Sequence, residues 1–370
     1  MRRLFIALVI LLVMLSGCED EAPQEIIPTQ VTEDIQTPQA PNQTKNPAST
    51  ATQTKLPEAT ATFQSPSATI LEMTSSYLMA FHACDFFNFN CNDPRNHKVY
   101  LAGADDIKTW SLIPGWVPIQ GSVPDVIRRG DTLYVYTGSW LVKYHFDSGV
   151  LDEPVQVQIS RGEGTPSTEP VMPTDVSLIL DDQDQMVMFF LFGKMGSDPA
   201  MCDPGEATCT KSIGSATEVE GSDGGAFMVN SGDRINSEIG EGKIFMSLSD
   251  PDIFTDGRDF YLLLSHGSWI SVWTSSELHG SYQRLDVPPM GFLSAGSGGV
   301  ASGYYSQEEG RYWIFSNIHL EEGMVIRLAS PKDLTRQLEE GNWTTIIGGE
   351  AIGLGPGYNA ESPGFTLNEP

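Results

Sequence analysis

Three aspartates recur near the beginning of similar short apolar segments, and they are the residues best suited to chemistry in this chain. Asp125, Asp175 and Asp252 occupy matching positions, with Gly299 in a fourth segment and Glu361 just before a fifth. If the segments lie side by side, their carboxyl groups converge. One can then donate a proton while another activates water. An aspartate at a strand start can equally accept hydrogen bonds from the backbone amides of an adjoining sheet.

The segments belong to a repeated unit of short strands. Each unit has a small or acidic residue, an apolar strand, an acidic or glycine turn and an aromatic strand, and the matching positions are 50, 77 and 47 residues apart. Such intervals are typical of four-stranded propeller blades. Residues 362–366 resemble another innermost strand, and 77–81, 98–102 and 109–113 would supply its outer strands. We therefore predict an all-β fold, a five-bladed β-propeller over residues 67–370. A six-bladed propeller and a β-sandwich are the alternatives, and the only helix candidate is short, at 333–338.

Three parts of this region resemble the five-bladed propellers of family 43 and related glycoside hydrolases. They are residues 250–257 (Asp-Pro-Asp-Ile-Phe-Thr-Asp-Gly) with 260–263, residues 104–110, and residues 215–224. The resemblance implies three carboxylates at a central channel: an aspartate base, an aspartate that orients and tunes, and a glutamate acid. Asp125, Asp175 and Asp252 match the innermost-strand aspartate. Gly298 and Gly299 stand where a glutamate would be wanted, which leaves Glu361, or Asp252 if the blade count shifts.

Because the acid is not matched, the first hypothesis is a propeller that binds glycans and is non-catalytic or degenerate. The alternatives are an active glycoside hydrolase cleaving plant-type or envelope oligosaccharides, and a scaffold for another envelope protein. His266, Trp140 and Trp269 are candidate substrate-binding residues. His266 follows a strand of the third unit and could line the central channel, and the two tryptophans fall near predicted loops, where their rings offer stacking faces for sugars.

No cofactor is expected from the sequence. The six histidines show no metal-ligand spacing. The acidic turns at 181–184 and 256–259 could hold a structural Ca²⁺, but neither matches the twelve-residue calcium loop. The sequence therefore predicts no metal site.

The N-terminus predicts export and lipid attachment. Arg2 and Arg3 precede an apolar run at 4–15, and residues 15–18 (Leu-Ser-Gly-Cys) resemble the bacterial lipoprotein lipobox. The resemblance implies a signal peptide over 1–17 and a lipid on Cys18. An ordinary signal peptide with an incidental cysteine is the alternative. Residues 18–66, rich in Pro, Thr, Gln and Ala, are predicted to be a disordered linker. The expected location is the bacterial cell envelope, outside the cytoplasm.

The four remaining cysteines fall into two identical spacings, Cys84 with Cys91 and Cys202 with Cys209. An even number in an exported chain predicts disulfides, and we favour the two local pairs among three connectivities. Zinc is the alternative, but neither interval contains a histidine.

The net charge of −27 excludes some partners. Nucleic acid is not expected to bind a chain this acidic, because its phosphates would be repelled. The signal peptide carries +2, the linker −5 and the remaining domain −24, so the acidity belongs mainly to the propeller. Anionic lipid should repel the domain as well, which leaves membrane attachment to the lipid on Cys18. The oligomeric state is not predicted.

Overall fold

The computed structural model describes residues 71–369 except 72, 162–172, 194–210, 237–247, 297 and 322. The predicted signal peptide, the lipidation site Cys18, the linker and the pair Cys202 and Cys209 lie outside these residues. Within the described part, no helix is long and apolar enough to cross a bilayer.

Short strands dominate the described chain, and its helical structure is confined to the 3₁₀ turns Pro94–Asn96 and Glu340–Asn342. Alternating polar turns and β-branched or aromatic runs favour this all-β outcome. The strands, in chain order, are β1 (Tyr77–Asp85), β2 (Lys98–Asp106), β3 (Thr109–Leu112), β4 (Ile119–Gln120), β5 (Pro124–Arg129), β6 (Thr132–Thr137), β7 (Trp140–His145), β8 (Val150–Leu151), β9 (Val155–Gln156), β10 (Gln158–Arg161), β11 (Thr174–Leu180), β12 (Met186–Gly193), β13 (Lys211–Glu218), β14 (Ala226–Val229), β15 (Ile235–Asn236), β16 (Ser249–Thr255), β17 (Phe260–Ser265), β18 (Ile270–Ser275), β19 (Gln283–Arg284), β20 (Gly299–Ser306), β21 (Arg311–Leu320), β22 (Gly323–Ala329), β23 (Thr344–Gly348) and β24 (Tyr358–Leu367).

These strands form a five-bladed β-propeller, as predicted. Blade 1 has the order β24-β1-β2-β3, with β4 beside β2. Blade 2 is β5-β6-β7-β8 with β9 beside β7, and blade 3 is β11-β12-β13-β14-β10 with β15 beside β13. Blade 4 is β16-β17-β18-β19, and blade 5 is β20-β21-β22-β23. The first strands of the blades contact one another in the closed ring β5-β11-β16-β20-β24. This ring rules out the β-sandwich and the six-bladed alternative.

Blade 1 closes the ring by joining the two ends of the propeller. Strand β24 pairs antiparallel with β1, so that Tyr77 lies opposite Leu367 and Asp85 opposite Tyr358. The side chain of Asn368 donates to the carbonyl oxygens of Met73 (3.0 Å) and Ser75 (2.7 Å). The predicted assembly of one blade from both ends of the domain is confirmed, and it leaves no open sheet edge at the seam.

The core lies between the blades. Among the described side chains, five apolar clusters fill the five spaces between neighbouring blades. Between blades 1 and 5, for example, Phe81 and Trp110 pack with Phe315. Middle strands are therefore covered on both faces, and β12 reads as a nearly continuous apolar run. Each large side chain fully buried in this way contributes about 1.5–3 kcal/mol to folding.

The predicted helix at 333–338 is wrong. The carboxylate of Asp333 accepts hydrogen bonds from the backbone nitrogen (3.1 Å) and hydroxyl (2.7 Å) of Thr335. Such bonds favour a turn over a helix. Leu334 and Leu338 are instead buried in the apolar cluster between blades 4 and 5.

Candidate functional site

The five innermost strands share a backbone feature that fixes their register. At or just before the start of β5, β11, β16 and β20, and midway along β24, one residue other than glycine adopts the left-handed region: Val123, Asp175, Asp250, Val300 and Ser362, with φ between 41° and 54°. This conformation costs about 1–3 kcal/mol at each position and persists only where surrounding contacts enforce it. Its fivefold repetition identifies equivalent residues in the blades, independently of their sequences.

This register changes the predicted alignment of the aspartates. Asp125 and Asp252 each lie two residues after the left-handed residue and are equivalent, as predicted. Asp175 is itself the left-handed residue of blade 3, so it is equivalent to Asp250 and not to the other two. The predicted matching of Asp175 is therefore wrong by two residues. In blade 5 the left-handed residue is Val300, so the equivalent of Asp125 and Asp252 is Ser302 and not Gly299.

In blades 2, 3 and 4 the residue two positions after the left-handed residue joins its blade to the next one. In three successive blades its side-chain oxygen accepts a hydrogen bond from the backbone nitrogen of the following blade. The bonds run to Asp125 from Leu178 (2.7 Å), to Ser177 from Ile253 (3.1 Å) and to Asp252 from Gly303 (2.7 Å). The hydroxyl of Ser177 thus accepts the same kind of backbone hydrogen bond as the carboxyl groups of the two aspartates. Ser177 was not predicted as a site residue, because its position two residues after Asp175 is the only feature in the sequence that marks it.

Blade 1 has Gly364 at this position, and the missing side chain is a geometric necessity. A β-carbon on Gly364 would lie 2.7 Å from the Cα of Asp125 and 2.8 Å from the carbonyl oxygen of Pro124. The carboxylate of Asp125 fills this space and also accepts a hydrogen bond from the backbone of Val126. The ring therefore closes around a glycine and an aspartate.

Asp125 and Asp252, here called the axial aspartates, hold protons more tightly than ordinary carboxyl groups. Both are buried, at 5% and 7% relative exposure for Asp125 and Asp252. Burial raises the pKa of Asp125 to about 7, although backbone donors from Leu178 and Val126 oppose the shift. Burial raises the pKa of Asp252 well above its usual range, and the charge of Asp125 adds to this. A raised pKa can indicate a catalytic carboxyl, but it also follows from a structural burial of this kind.

The size of the cavity at the propeller axis bears on which of these two roles Asp125 and Asp252 have. The starts of the inner strands, including Asp125 and Asp252, enclose about 20 Å³. This is room for about one water molecule. In this space Asp125 and Asp252 accept hydrogen bonds from the backbone nitrogens of Leu178 and Gly303, which belong to the following blades.

Glu361 lies apart from this ring, beside a histidine that sequence reasoning did not identify. In the antiparallel pairing of β24 with β1, Glu361 stands directly opposite His82. Residues paired in this way place their side chains on the same face of the sheet. Burial raises the pKa of Glu361 to about 7, against an opposing hydrogen bond from Asn359. A carboxyl group of this pKa can carry a proton at neutral pH.

His82 is a neutral, buried imidazole. Its Nδ1 accepts a hydrogen bond from the backbone nitrogen of Val123 (3.1 Å), and its ring stacks on His97 at 4.2 Å between centroids. Burial, with a smaller contribution from His97, lowers the pKa of His82 to about 3. The proton of the neutral ring therefore sits on Nε2, which has no hydrogen-bond partner among the described residues. No spacing in the sequence pairs His82 with Glu361, because strand pairing brings them together.

The loop between β1 and β2 presents aromatic side chains at the end of the propeller where the inner strands begin. Phe86, Phe87 and Phe89 are 36%, 69% and 56% exposed. Phe86 and Phe87 contact each other at 4.6 Å between ring centroids. Because Asp85 lies opposite Tyr358 at the beginning of β24, this loop lies on the face where the inner strands begin.

Several bonds hold this loop in one conformation. Cys84 and Cys91 form a disulfide with Cα atoms 5.7 Å apart, as predicted. The carboxylate of Asp85 accepts from the backbone of Phe87 (3.1 Å) and the side chain of Asn88 (2.6 Å). The Nε2 atom of His97 lies 2.8 Å from the carbonyl oxygen of Cys91. The loop is thus organised before any ligand arrives.

The predicted sugar-binding residues also lie on this face, in the connections between second and third strands. Trp140 begins β7 and is 47% exposed. His266 is buried, and its Nε2 lies 2.8 Å from the hydroxyl of Ser271. Trp269 is partly buried and meets Phe292 edge-on at 5.0 Å. Trp140 alone of these three presents a large free surface.

The acidic turns have local partners. Asp181 accepts from the backbone nitrogens of Gln183 (2.8 Å) and Gln185 (2.9 Å). Asp256 accepts from the hydroxyls of Tyr261 (3.0 Å) and Tyr312 (3.1 Å). Within the described residues, no group of three or more histidine, cysteine, aspartate or glutamate side chains is arranged to hold a metal ion.

No family model matches the sequence, and no curated protein matches it. The propeller does resemble solved structures of family 43 and related glycoside hydrolases. The endo-arabinase of Bacteroides thetaiotaomicron is 16% identical with a TM-score of 0.47, over 70% of this chain and 92% of its own. A family 43 enzyme from a capybara gut metagenome is 11% identical with a TM-score of 0.44, over 80% and 66%.

The xylan β-1,4-xylosidase of Bacillus halodurans is 13% identical with a TM-score of 0.42, over 66% of this chain. The present chain spans about half of that enzyme, 49% of its length. At these identities and TM-scores, the likenesses concern the fold and do not identify an activity for this chain.

Proposed function

We propose that this protein binds glycans on the face where the inner strands begin, and that its axial aspartates do not cleave them. The observation that supports binding most directly is the loop carrying Phe86, Phe87 and Phe89. Exposed aromatic rings contribute little to folding, and a group of them on a soluble surface marks an interaction site. Their flat apolar faces suit the C–H faces of sugar rings.

The rigidity of the loop supports the same proposal. A ligand that stacks on a free loop must offset the entropy of ordering it, whereas this loop is already held by the Cys84–Cys91 disulfide and by Asp85. Trp140 occupies the corresponding connection of the neighbouring blade, which extends the aromatic surface. An extended ligand such as an oligosaccharide fits a row of separate rings.

The axial aspartates support binding without turnover. Hydrolysis requires two carboxyl groups with space for a sugar and a water between them. Asp125 and Asp252 face about 20 Å³ and accept backbone hydrogen bonds from neighbouring blades. Their geometry suits a structural role.

Replacing Phe87 with alanine is expected to weaken oligosaccharide binding about five- to thirtyfold, because a stacking ring is worth on the order of 1–2 kcal/mol. The protein should first be screened on a glycan array to identify a ligand. The dissociation constant is then measured by isothermal titration calorimetry. The thermal midpoint should stay within a degree or two, because the Phe87 side chain is 69% exposed.

The matched control is Met228→Ala, an apolar side chain 47% exposed on β14, near the outer edge of blade 3. Its affinity should equal that of the unmodified protein. Binding that survives Phe87→Ala and Trp140→Ala together would move the glycan site elsewhere, and an array without any saturable ligand would contradict the proposal.

Glycoside hydrolysis is a second candidate, and the specific observation in its favour is Glu361. Its pKa of about 7 suits a general acid, and the neutral His82 lies opposite it. A panel of chromogenic glycosides tests this role. Turnover that is lost in Glu361→Gln and retained in Asp252→Asn would replace the binding proposal with an enzymatic one.

Membrane attachment through a lipid on Cys18 is part of the proposal and is supported by the sequence alone. Replacing Cys18 with alanine is expected to shift the protein from the membrane fraction to the soluble extracytoplasmic fraction. The physical reason is that the domain is acidic, so anionic lipid repels it and the acyl chains supply the attachment. Quantitative immunoblotting of the fractions measures this, and an unchanged membrane fraction would point to a protein partner or an uncleaved apolar segment.

A further inference from the structure

The strongest unassigned feature is a groove of about 430 Å³ between blades 5 and 1. Lys108 reaches it from the turn between β2 and β3, and Arg311 from the beginning of β21. Both turns lie at the end of the propeller opposite the loop that carries Phe86, Phe87 and Phe89, because the inner strand β20 begins at Gly299 and ends beside Arg311. The groove is therefore separate from the proposed glycan face.

The groove concentrates positive charge in a very acidic protein. Its lining includes Lys108, Arg311, Lys332 and Arg336 but only one carboxylate, Asp333, which gives a local formal charge of +3. In the part of the chain that the structure describes, none of these four cations forms a salt bridge. The whole chain has 21 basic residues and a net charge of −27. Charges more than about 8 Å away are screened at physiological salt, so the local excess determines what binds.

The one carboxylate is already engaged. Asp333 accepts from the backbone and hydroxyl of Thr335, and these bonds, with a smaller contribution from Arg336, lower the pKa of Asp333. Asp333 therefore stays ionised, and it offsets only one of the four positive charges in the groove. Arg311 donates through Nη1 to the carbonyl oxygen of Ser330 (3.3 Å), which orients its guanidinium at the wall. A guanidinium presents several parallel donors that suit carboxylate or phosphate oxygens.

The rest of the lining suits an organic molecule better than a bare ion. Leu328 and Leu338 are buried and supply an apolar floor. Gln337, Asn342 and Thr344 add amide and hydroxyl groups that can bond to ligand hydroxyls. A volume of this size is in the ordinary range for small-molecule sites.

We propose that this groove is a second ligand site, which binds a hydroxylated organic anion such as a carboxylated or phosphorylated sugar. The cations hold the anionic group, and the amides and apolar floor hold the ring. The site goes beyond the proposed glycan binding, because it lies on the opposite face and takes charged ligands.

The test is calorimetric titration of the full chain with digalacturonate, glucose 6-phosphate, inorganic phosphate and a neutral disaccharide. At least one charged sugar should bind saturably, one to one, and more weakly at 500 mM than at 50 mM salt. Whether the carboxylate or the phosphate is preferred identifies the source of the ligand. The double variant Lys332→Gln and Arg336→Gln should weaken this binding at least about tenfold, as expected for two lost charge-assisted contacts.

Arg258→Gln is the matched control, because this exposed arginine pairs with Asp259 and is not part of the groove. Three results would overturn the proposal. They are no saturable binding of either charged sugar, equal affinity in the double variant, and inorganic phosphate binding as tightly as glucose 6-phosphate. Phe87→Ala should leave this titration unchanged, so failure at one face is distinguishable from failure at the other.

Discussion

Replacing Gly364 with alanine is expected to destabilise the propeller by at least about 4 kcal/mol, or to prevent recovery of folded protein. The added β-carbon would lie 2.7 Å from the Cα of Asp125 and 2.8 Å from the carbonyl oxygen of Pro124. These are backbone atoms of a neighbouring inner strand, so no side-chain rotation relieves the overlap. The ring at the seam between blades 1 and 2 must open to admit it. Urea unfolding followed by tryptophan fluorescence measures the loss.

Two further variants, a control and a double variant, test whether the overlap at Gly364 is the cause. Gly341→Ala places a β-carbon where nothing lies within 4 Å, and its free energy of unfolding should match the unmodified protein within about 1 kcal/mol. Adding Asp125→Ala to Gly364→Ala should not restore stability, because the overlapping Cα and carbonyl oxygen remain. Full rescue would assign the overlap to the carboxylate alone, and a stable single variant would refute the close packing at this seam.

The second large effect is a loss of stability as the pH rises. The pKa of Asp125 is about 7 in the folded protein and near its ordinary value of 3.8 when unfolded. Between these values the folded state binds more protons than the unfolded state, so the free energy of unfolding falls as pH increases from about 4 to 7. The shift corresponds to at most about 4 kcal/mol. Glu361, raised from 4.5 to about 7, acts in the same direction. His82, whose pKa is lowered from 6.5 to about 3, opposes these two carboxyl groups below about pH 6.5.

Unfolding in urea at pH 5 and pH 8 tests this prediction, with greater stability expected at pH 5. Asp125→Asn removes the titrating group and keeps one acceptor oxygen for Leu178, so the difference between the two pH values should shrink. Asp147→Asn changes an exposed carboxylate and should leave the difference unaltered. A protein that gains stability between pH 5 and pH 8 would contradict the burial argument.

The architecture was predictable because it depends on features that repeat along the chain. Acidic or glycine turns and aromatic strands recur in every blade, and the segment around Ser362 carries the same pattern. The predicted pairing of the two chain ends, and the Cys84–Cys91 disulfide, followed from the same local reasoning and are confirmed. The blade count needed no knowledge of side-chain contacts.

The register of the aspartates was not predictable in the same way. An alternating strand looks the same after a shift of two residues, because every side chain then returns to its original face. Asp175 was therefore aligned with Asp252, although the left-handed backbone places it with Asp250. Ser177 was missed because a serine does not resemble an aspartate in sequence, yet either can accept one backbone hydrogen bond. The pairing of His82 with Glu361 depends on contact between strands nearly 280 residues apart.

The seam of blade 1 also sets the order of events in folding. Strand β1 lies early in the domain, but its partner β24 is Tyr358–Leu367, so the ring cannot close until nearly the whole domain has been synthesised. Contacts of such high sequence separation form late and slowly. Until then blade 1 lacks its innermost strand and Asp125 lacks the neighbour against which it packs. The propeller ring therefore stays open until its last strand, β24, is available to pair with β1.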